Sequence, residues 1–128
     1  MSGYRTPLAR ARGLGSAKHG VSHWLAERVG AVALIPLTLW TVYAVLRLSA
    51  LDYYGAVEWI GHPVNATLAV LMTVVSFQHM ASGVRVIIED YVYGHVTKAA
   101  ALLLNVFICG LAGALAVFSI LKVALGGL

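Results

Sequence analysis

The chain has 128 residues, of which 60% are hydrophobic and only 11% are charged, and its net charge is +4. A soluble protein usually carries about 25% charged residues. The composition therefore excludes a soluble enzyme, a nucleic-acid-binding protein and a protein built of several soluble domains.

Three stretches of the chain contain no Asp, Glu, Lys or Arg. They follow Arg28, Glu58 and Lys98 and are 18, 26 and 23 residues long. About 20 such residues cross the hydrocarbon of a membrane as a helix. The sequence thus predicts an all-α membrane protein with three transmembrane helices. The late start of the first stretch argues against a secretory signal peptide.

Residues 1–21 are predicted to form an irregular tail, ahead of a single membrane domain of residues 22–128. The tail is basic and contains no acidic residue. Because basic segments stay on the cytoplasmic or matrix side of a membrane, we expect the N-terminus inside and the C-terminus outside. The basic residues of the tail are Arg5, Arg10, Arg12 and Lys18.

The first helix is predicted over about residues 22–48, with Pro36 inside it. Neighbouring helices make a proline tolerable in a membrane helix. The residues that connect the first and second helices are interpreted as a loop. Aromatic side chains that favour the membrane surface mark this outer end. They are Tyr43, Tyr53, Tyr54 and Trp59.

The run Gly61-His62-Pro63 is predicted to turn the chain into a second helix, because helices seldom continue through the residue before a proline. The second helix is predicted over about 64–91 and the third over about 97–125. The single cysteine, Cys109, lies in the third helix and has no partner for an internal disulfide.

Small residues in the first and third helices offer flat faces for close helix contact. They could pack the three helices against one another, or they could pack against helices of another subunit. The sequence leaves both interpretations open. The residues concerned are Gly30, Gly110 and Ala114.

His79 is the only histidine within a predicted crossing, and an ionisable group at that depth is costly and so a functional candidate. Ser76, Gly83 and Asp90 share its helix face, since they are 3, 4 and 11 residues away. A neutral imidazole is a good axial ligand of haem iron, and a glycine one turn away makes room for the macrocycle. The imidazole could equally hydrogen-bond another helix or relay protons.

Asp90 and Tyr91 lie side by side at the predicted inner end of the second helix. A phenol there could donate a hydrogen bond to a quinone carbonyl, and a carboxyl could supply or orient the protons that quinone reduction consumes. The same two residues could also be ordinary interface residues, a belt tyrosine and a hydrated acid. Their positions alone favour the second interpretation.

The spacing of His79, Gly83, Asp90 and Tyr91 resembles the second helix of a known family. The family is the hydrophobic membrane anchor of succinate dehydrogenase, the D-type subunit of respiratory complex II, which also has three crossings. The run Gly20-Val21, with Arg28 further along at the start of the first helix, is similar to the beginning of the first helix in the same family.

The C-type anchor of the same complex has a similar spacing of histidine and aspartate. Glu27 directly before Arg28, together with Asp90-Tyr91, favours the D-type subunit, and the C-type anchor is the nearest alternative. The sequence departs from some relatives at Ser22, where they have a histidine. Here the histidine is His23, one residue later, so we expect no propionate role for it.

The resemblance implies a role for four residues. His79 would be one axial ligand of haem b, and the C-type anchor would supply the other. Tyr91 would hydrogen-bond the ubiquinone carbonyl, and Asp90 would support the quinone site. Arg28 would lie near a haem propionate, which suits a guanidinium fork, although an inside-facing positive anchor accounts for Arg28 nearly as well.

The resemblance also implies partners and a location. The chain would catalyse nothing alone and would assemble with a C-type anchor, an iron–sulfur subunit and a flavoprotein subunit. Electrons from succinate would reach ubiquinone in the bacterial cytoplasmic membrane or the mitochondrial inner membrane. His19, His62 and His95 lie outside the crossings and are assigned no role.

Two alternatives remain. The chain could be a small transport or proton-conducting subunit with His79 as a proton relay, or a purely structural assembly subunit. A conducting subunit requires polar residues along a pathway, and the crossings contain few. They are Thr38, Thr41, Thr67, Thr73, Ser76, Gln78 and Asn105.

Overall fold

The computed structural model describes residues 6–8 and 20–126 and contains no strand among them. It has four complete helices, which we number along the chain. Helix α1 is Gly20–Leu48, α2 is Tyr53–Gly61, α3 is Pro63–Tyr91 and α4 is His95–Ala124. The predicted all-α fold is therefore confirmed.

Helices α1, α3 and α4 are each long and apolar enough to cross a membrane. They contain 29, 29 and 30 residues, and at 1.5 Å per residue each is about 44 Å long. The hydrocarbon layer is about 30 Å thick. The ends of each helix therefore extend into the headgroup region, where charged residues can meet water.

The long helices begin one or two residues before the positions expected from sequence and end within one residue of them. Helix α1 continues through Pro36 without a break. Much of the predicted tail lies outside the described residues, including Arg5, Arg10, Arg12, Lys18 and His19. Residues 7 and 8 are helical, as are residues 20 and 21, where an irregular tail was expected.

Helix α2 was interpreted from sequence as part of a loop. Asp52 caps it, because its carboxylate accepts a hydrogen bond of 2.9 Å from the backbone N–H of Gly55. The Trp59 ring stacks on Trp40 of α1, with ring centroids 6.1 Å apart. The Asn65 amide donates to the Trp59 carbonyl over 2.8 Å. These contacts tie α2 to both α1 and α3.

The turn expected at Gly61-His62-Pro63 is present. His62 ends α2 and also precedes the first residue of α3, with extended backbone angles. Pro63 occupies the first position of α3, where the N–H that it lacks would have no helical partner. A single residue, His62, thus separates α2 from α3.

Helix α3 is the central helix of the chain. It packs most extensively along α4 and less extensively along α1, while the short α2 lies against both α3 and α4. Among the described residues, α1 and α4 share at most a marginal contact. The sites on α3 therefore have α1 on one side and α4 on the other.

The contact between α3 and α4 is close and contains a polar link. The Asn105 amide donates to the Ala81 carbonyl over 2.9 Å, and the Cys109 thiol donates to the Asn105 side-chain oxygen over 3.4 Å. The Phe77 ring packs on Gly113, where an added Cβ would lie only 3.3 Å from the ring. This contact uses Gly113, whereas Gly110, expected as a packing residue, has open space beside it.

Little of the described chain is buried. Most large apolar side chains on α1, α3 and α4 are exposed, and such surfaces are stable only against lipid or another protein. The three helices thus form a thin unit rather than a closed bundle. The buried residues are Leu37, Ala44, Ala66, Asn105 and Cys109.

Candidate functional site

His79 lies just past the middle of α3 and contacts the side of α1. Its side chain is exposed at the surface of the chain. Gly30 of α1 passes close to it, since a Cβ added at Gly30 would lie 4.0 Å from the imidazole Nδ1. The missing side chain at Gly30 lets α1 approach, so one edge of the imidazole meets α1 while the histidine stays accessible from outside.

A groove of about 310 Å³ runs between α1 and α3 beside this histidine. Both helices contribute small residues, which keep it open, and α1 contributes a cation and an acid. The lining residues are His79, Ser82, Gly83 and Val86 of α3 with Glu27, Arg28 and Ala31 of α1. The structure therefore places Arg28, a candidate from sequence, in the same groove as His79.

Arg28 is held at the groove by a neighbour on its own helix. Its guanidinium carbon lies 5.5 Å from the centroid of the Trp24 ring, which is within reach of a cation–π interaction. This contact leaves the five N–H donors of the guanidinium able to point at a ligand. The Arg28 guanidinium thus places a positive charge in the groove, opposite α3.

Gly83 leaves the backbone of α3 bare one turn beyond His79. A Cβ at this position would have no atom within 4 Å. A flat ring can therefore lie against α3 beside the imidazole without displacing any residue of this chain.

The groove contains one imidazole, that of His79, and one carboxylate, that of Glu27. A neutral imidazole has one nitrogen lone pair available, and the described residues include no group of three or more His, Cys, Asp or Glu side chains that could hold a bare metal ion. The residues fit a cofactor that brings most of its own metal ligands, such as haem. Arg28 could meet an acidic substituent of that cofactor.

Asp90 and Tyr91 are at the end of α3 and do not line the groove. Both are exposed, with 76% of the Tyr91 surface accessible. They are 11 and 12 residues beyond His79, and at 1.5 Å per residue this places them about 16–18 Å along the helix. Neither side chain bonds to another described residue, so both are available to a ligand.

Basic residues hold the end of α3 in place. The Lys98 ammonium donates to the Glu89 carbonyl over 2.8 Å, which places a cation at the negative end of the α3 dipole. The Arg85 guanidinium pairs with the Glu89 carboxylate at 2.8 Å on the exposed surface. Arg85 does not line the His79 groove.

Sequence reasoning missed three residues of these sites. Gly30 was interpreted only as a packing residue, and its approach to His79 depends on which helix packs there. Ser82 lies three residues after His79, and helical spacing could have placed it in the groove. Lys98 served only to mark the start of the third charge-free stretch, and nothing in the sequence indicates that it reaches the carbonyl of Glu89.

The other histidines lie away from the groove. His62 is exposed between α2 and α3, and His95 is the exposed first residue of α4. His23 lies in α1, its side chain is outside the described residues, and His19 is outside them entirely. Among the described histidine side chains, only that of His79 lines the groove.

Known proteins resemble this chain along nearly its whole length. The family described as "Succinate dehydrogenase/Fumarate reductase transmembrane subunit" matches residues 2–120. A succinate dehydrogenase hydrophobic membrane anchor subunit from Paracoccus denitrificans is 34% identical over 98% of this chain and 96% of its own length. One of the same name from Rickettsia bellii is 32% identical over 70% of this chain and 71% of its own length.

No solved structure shows a significant match. The names of the relatives confirm the resemblance to the hydrophobic membrane anchor that the residues from His79 to Tyr91 indicated. With three apolar helices, the chain is a multi-pass protein of the inner membrane. It belongs to the family of succinate dehydrogenase and fumarate reductase transmembrane subunits.

Proposed function

We propose that this chain anchors a succinate dehydrogenase in the membrane and supplies His79 as one axial ligand of haem b. The observation that carries the proposal is the exposed His79 imidazole in a groove with a bare glycine and a guanidinium. An exposed imidazole at membrane depth is costly against lipid, and a ligand or partner removes that cost.

Each residue of the groove has a distinct task in this proposal. His79 would donate its nitrogen lone pair to the iron, and Arg28 would bind a propionate through its planar fork. Gly83 would leave space for the ring edge. When bound, haem would supply one-electron transfer between the iron–sulfur subunit and quinone. The second axial ligand would come from a C-type anchor subunit.

Tyr91 and Asp90 would form part of a ubiquinone site at the end of α3. The Tyr91 hydroxyl would donate a hydrogen bond to a quinone carbonyl. The Asp90 carboxyl would hold or deliver one of the two protons that the quinone takes up, one on each carbonyl oxygen, as it is reduced by two electrons. Both side chains are exposed and bond to no other described residue, which leaves them free for these tasks.

Catalysis of succinate oxidation would belong to other subunits. A flavoprotein and an iron–sulfur subunit would dock at the membrane surface beside Asp90 and Tyr91. This chain would contribute position and electrostatics, while the electron chemistry would belong to the cofactors. The proposal therefore assigns no catalytic residue for succinate oxidation to this chain.

The polar side chains of the crossings argue against a proton-conducting subunit. Most of them bond within their own helix or between α3 and α4, so they do not line a continuous path. Hydroxyls of Thr41, Thr67 and Thr73 donate to the carbonyl four residues earlier. Asn105 is taken up by the Ala81 carbonyl.

The haem proposal is tested by the reduced-minus-oxidised optical spectrum of the affinity-purified complex. We expect a b-type signal in the wild type and its loss or strong shift in His79→Ala. His95→Ala is the matched control, because this exposed histidine lies at the start of α4, and it should keep the wild-type spectrum. A b-type signal that is unchanged in His79→Ala would contradict ligation by His79.

The quinone proposal is tested by steady-state kinetics with a soluble ubiquinone analogue. Tyr91→Phe removes one hydrogen-bond donor and should raise the KM for quinone several-fold, on the order of tenfold, while succinate oxidation with a soluble dye acceptor stays normal. Tyr93→Phe removes the same hydroxyl two residues later from a side chain that is 86% exposed. Equal effects of the two substitutions would refute a specific role for Tyr91.

A further inference from the structure

A second cavity lies at the opposite end of α3 from Asp90. It occupies about 580 Å³ between the end of α1, the short α2 and the first turn of α3. This volume is within the roughly 300–1,000 Å³ of small-molecule sites. From Asn65 on its rim to His79 is 14 residues, or about 21 Å along the helix, so the cavity is separate from the His79 groove.

Two opposite charges line this cavity without pairing. Arg47, in the last turn of α1, and Glu58, in α2, both face it. Arg85 and Glu89 form an ion pair in the described part of the chain, but the side chains of Arg47 and Glu58 make no hydrogen bond or ion pair with any described residue. The other acid of this region, Asp52, is already used as the cap of α2.

The cavity is positioned at the membrane surface. Helix α1 ends one residue after Arg47, and α3 begins at Pro63. Tyr43 and Trp59 also line the cavity, and such amphipathic rings prefer the headgroup level. Beside them, Leu46 and Val64 are exposed apolar side chains, 65% and 57% accessible, which acyl chains can cover.

The two charges define the chemistry of the ligand. A guanidinium fork matches the oxygens of a phosphate, and a carboxylate flanked by aromatic rings matches a primary ammonium. An anionic headgroup would satisfy Arg47 but would place negative charge next to Glu58. A headgroup that carries a phosphate and an ammonium satisfies both and leaves the cavity electrically neutral.

We propose that this cavity binds the headgroup of an aminophospholipid of the phosphatidylethanolamine class. Arg47 binds the phosphate, Glu58 accepts hydrogen bonds from the ammonium, and the acyl chains lie along α1 and α3. The lipid fastens the α1 end, α2 and the α3 start together at the membrane face opposite to Asp90 and Tyr91. This site is independent of the haem and the quinone.

The test is native mass spectrometry of the intact complex released from nanodiscs that contain phosphatidylethanolamine, phosphatidylglycerol and phosphatidylcholine in equal amounts. The wild type should retain phosphatidylethanolamine in preference to the other two lipids. Phosphatidylglycerol lacks the ammonium, and phosphatidylcholine has an ammonium without N–H donors. If the wild type holds phosphatidylglycerol equally well, or ubiquinone instead of lipid, the proposal is wrong.

Variants assign the contacts. Arg47→Gln should lower retention of phosphatidylethanolamine about tenfold, since a charge-assisted hydrogen bond is lost. Arg47→Lys keeps the positive charge but not the planar fork, so it should lower retention less than Arg47→Gln does. Glu58→Gln should remove the preference over phosphatidylglycerol. If Arg47→Gln prevents assembly, the competition among lipids on the wild type decides alone.

The matched controls carry the same residue types at the other end of the molecule. Arg85→Gln and Glu89→Gln change an exposed pair on α3 and should leave retention of phosphatidylethanolamine at the wild-type level. If all four neutral variants retain it equally, the cavity does not bind it. The haem spectrum of Arg47→Gln and Glu58→Gln should stay that of the wild type, which separates a failure here from a failure of the haem proposal.

Discussion

The two sides of α3 differ in how many of their side chains find a partner within this chain. Toward α4, the Asn105 amide donates to the Ala81 carbonyl and the Phe77 ring packs on Gly113, and the grooves that lie beside this contact are lined almost entirely by apolar side chains. Toward α1, Gly30 meets only one edge of His79, and the groove beyond it stays open at Gly83.

The difference shows which contacts hold the chain together and which await another molecule. Burying a polar group is costly unless it is hydrogen-bonded, and the α4 side meets that condition unaided. The α1 side leaves an imidazole exposed at membrane depth, which is costly against lipid. A cofactor or another subunit in the α1 groove, as proposed above, would remove this cost.

The largest expected effect comes from filling the open side. Gly83→Leu places a branched side chain where a Cβ now meets no atom within 4 Å, so this chain itself should fold as before. The side chain would occupy the space beside His79, and we expect the b-type haem content of the purified complex to fall to near zero. Haem content is measured by the pyridine haemochrome spectrum.

Substitution at the contact between α3 and α4 should lower the stability of the complex and leave its haem content unchanged. In Gly113→Leu the new Cβ would lie 3.3 Å from the Phe77 ring, so that ring or α4 must shift by a few tenths of an ångström. Overpacking of this kind costs about 1–3 kcal/mol, so the SDS concentration that unfolds the assembled complex should fall. Haem content per surviving complex should stay near that of the wild type. If Gly83→Leu and Gly113→Leu gave the same pattern, the distinction between the two sides would fail.

A smaller effect on stability is expected from the loss of the hydrogen bond that links α3 and α4. Asn105→Ala removes the hydrogen bond to the Ala81 carbonyl, and interhelical bonds in membranes are worth about 0.6 kcal/mol on average. The SDS midpoint of the complex should fall slightly. Ser119→Ala on the same helix removes a hydroxyl that bonds only to the Leu115 carbonyl within α4, and it should change the midpoint less. The reverse order would show that Asn105 does not link the helices.

The fold was largely predictable because membrane crossing depends on local composition. Stretches free of charge after Arg28, Glu58 and Lys98 locate α1, α3 and α4 without knowledge of any contact. Helix α2 was not predictable in this way. It has nine residues, too few to show a clear period, and it is fixed by the Asp52 cap and the contact of Trp59 with Trp40.

The site was predictable only in part, for a different reason. Helical spacing places Gly83 on the face of His79, because both belong to one helix. Which residues of α1 meet that face depends on how α1 packs, so Gly30 could not be assigned from sequence. For the same reason, the sequence could not show that Phe77 packs on Gly113 rather than on Gly110.

Chemical rescue tests most directly whether His79 is a haem ligand. His79→Gly removes the imidazole and leaves a space in the open groove that free imidazole can enter. We expect the b-type spectrum of the purified complex to be lost or altered in His79→Gly and to return toward that of the wild type when imidazole is added. A spectrum that is the same in the wild type and in His79→Gly, with no response to imidazole, would contradict the assignment of His79 as a haem ligand.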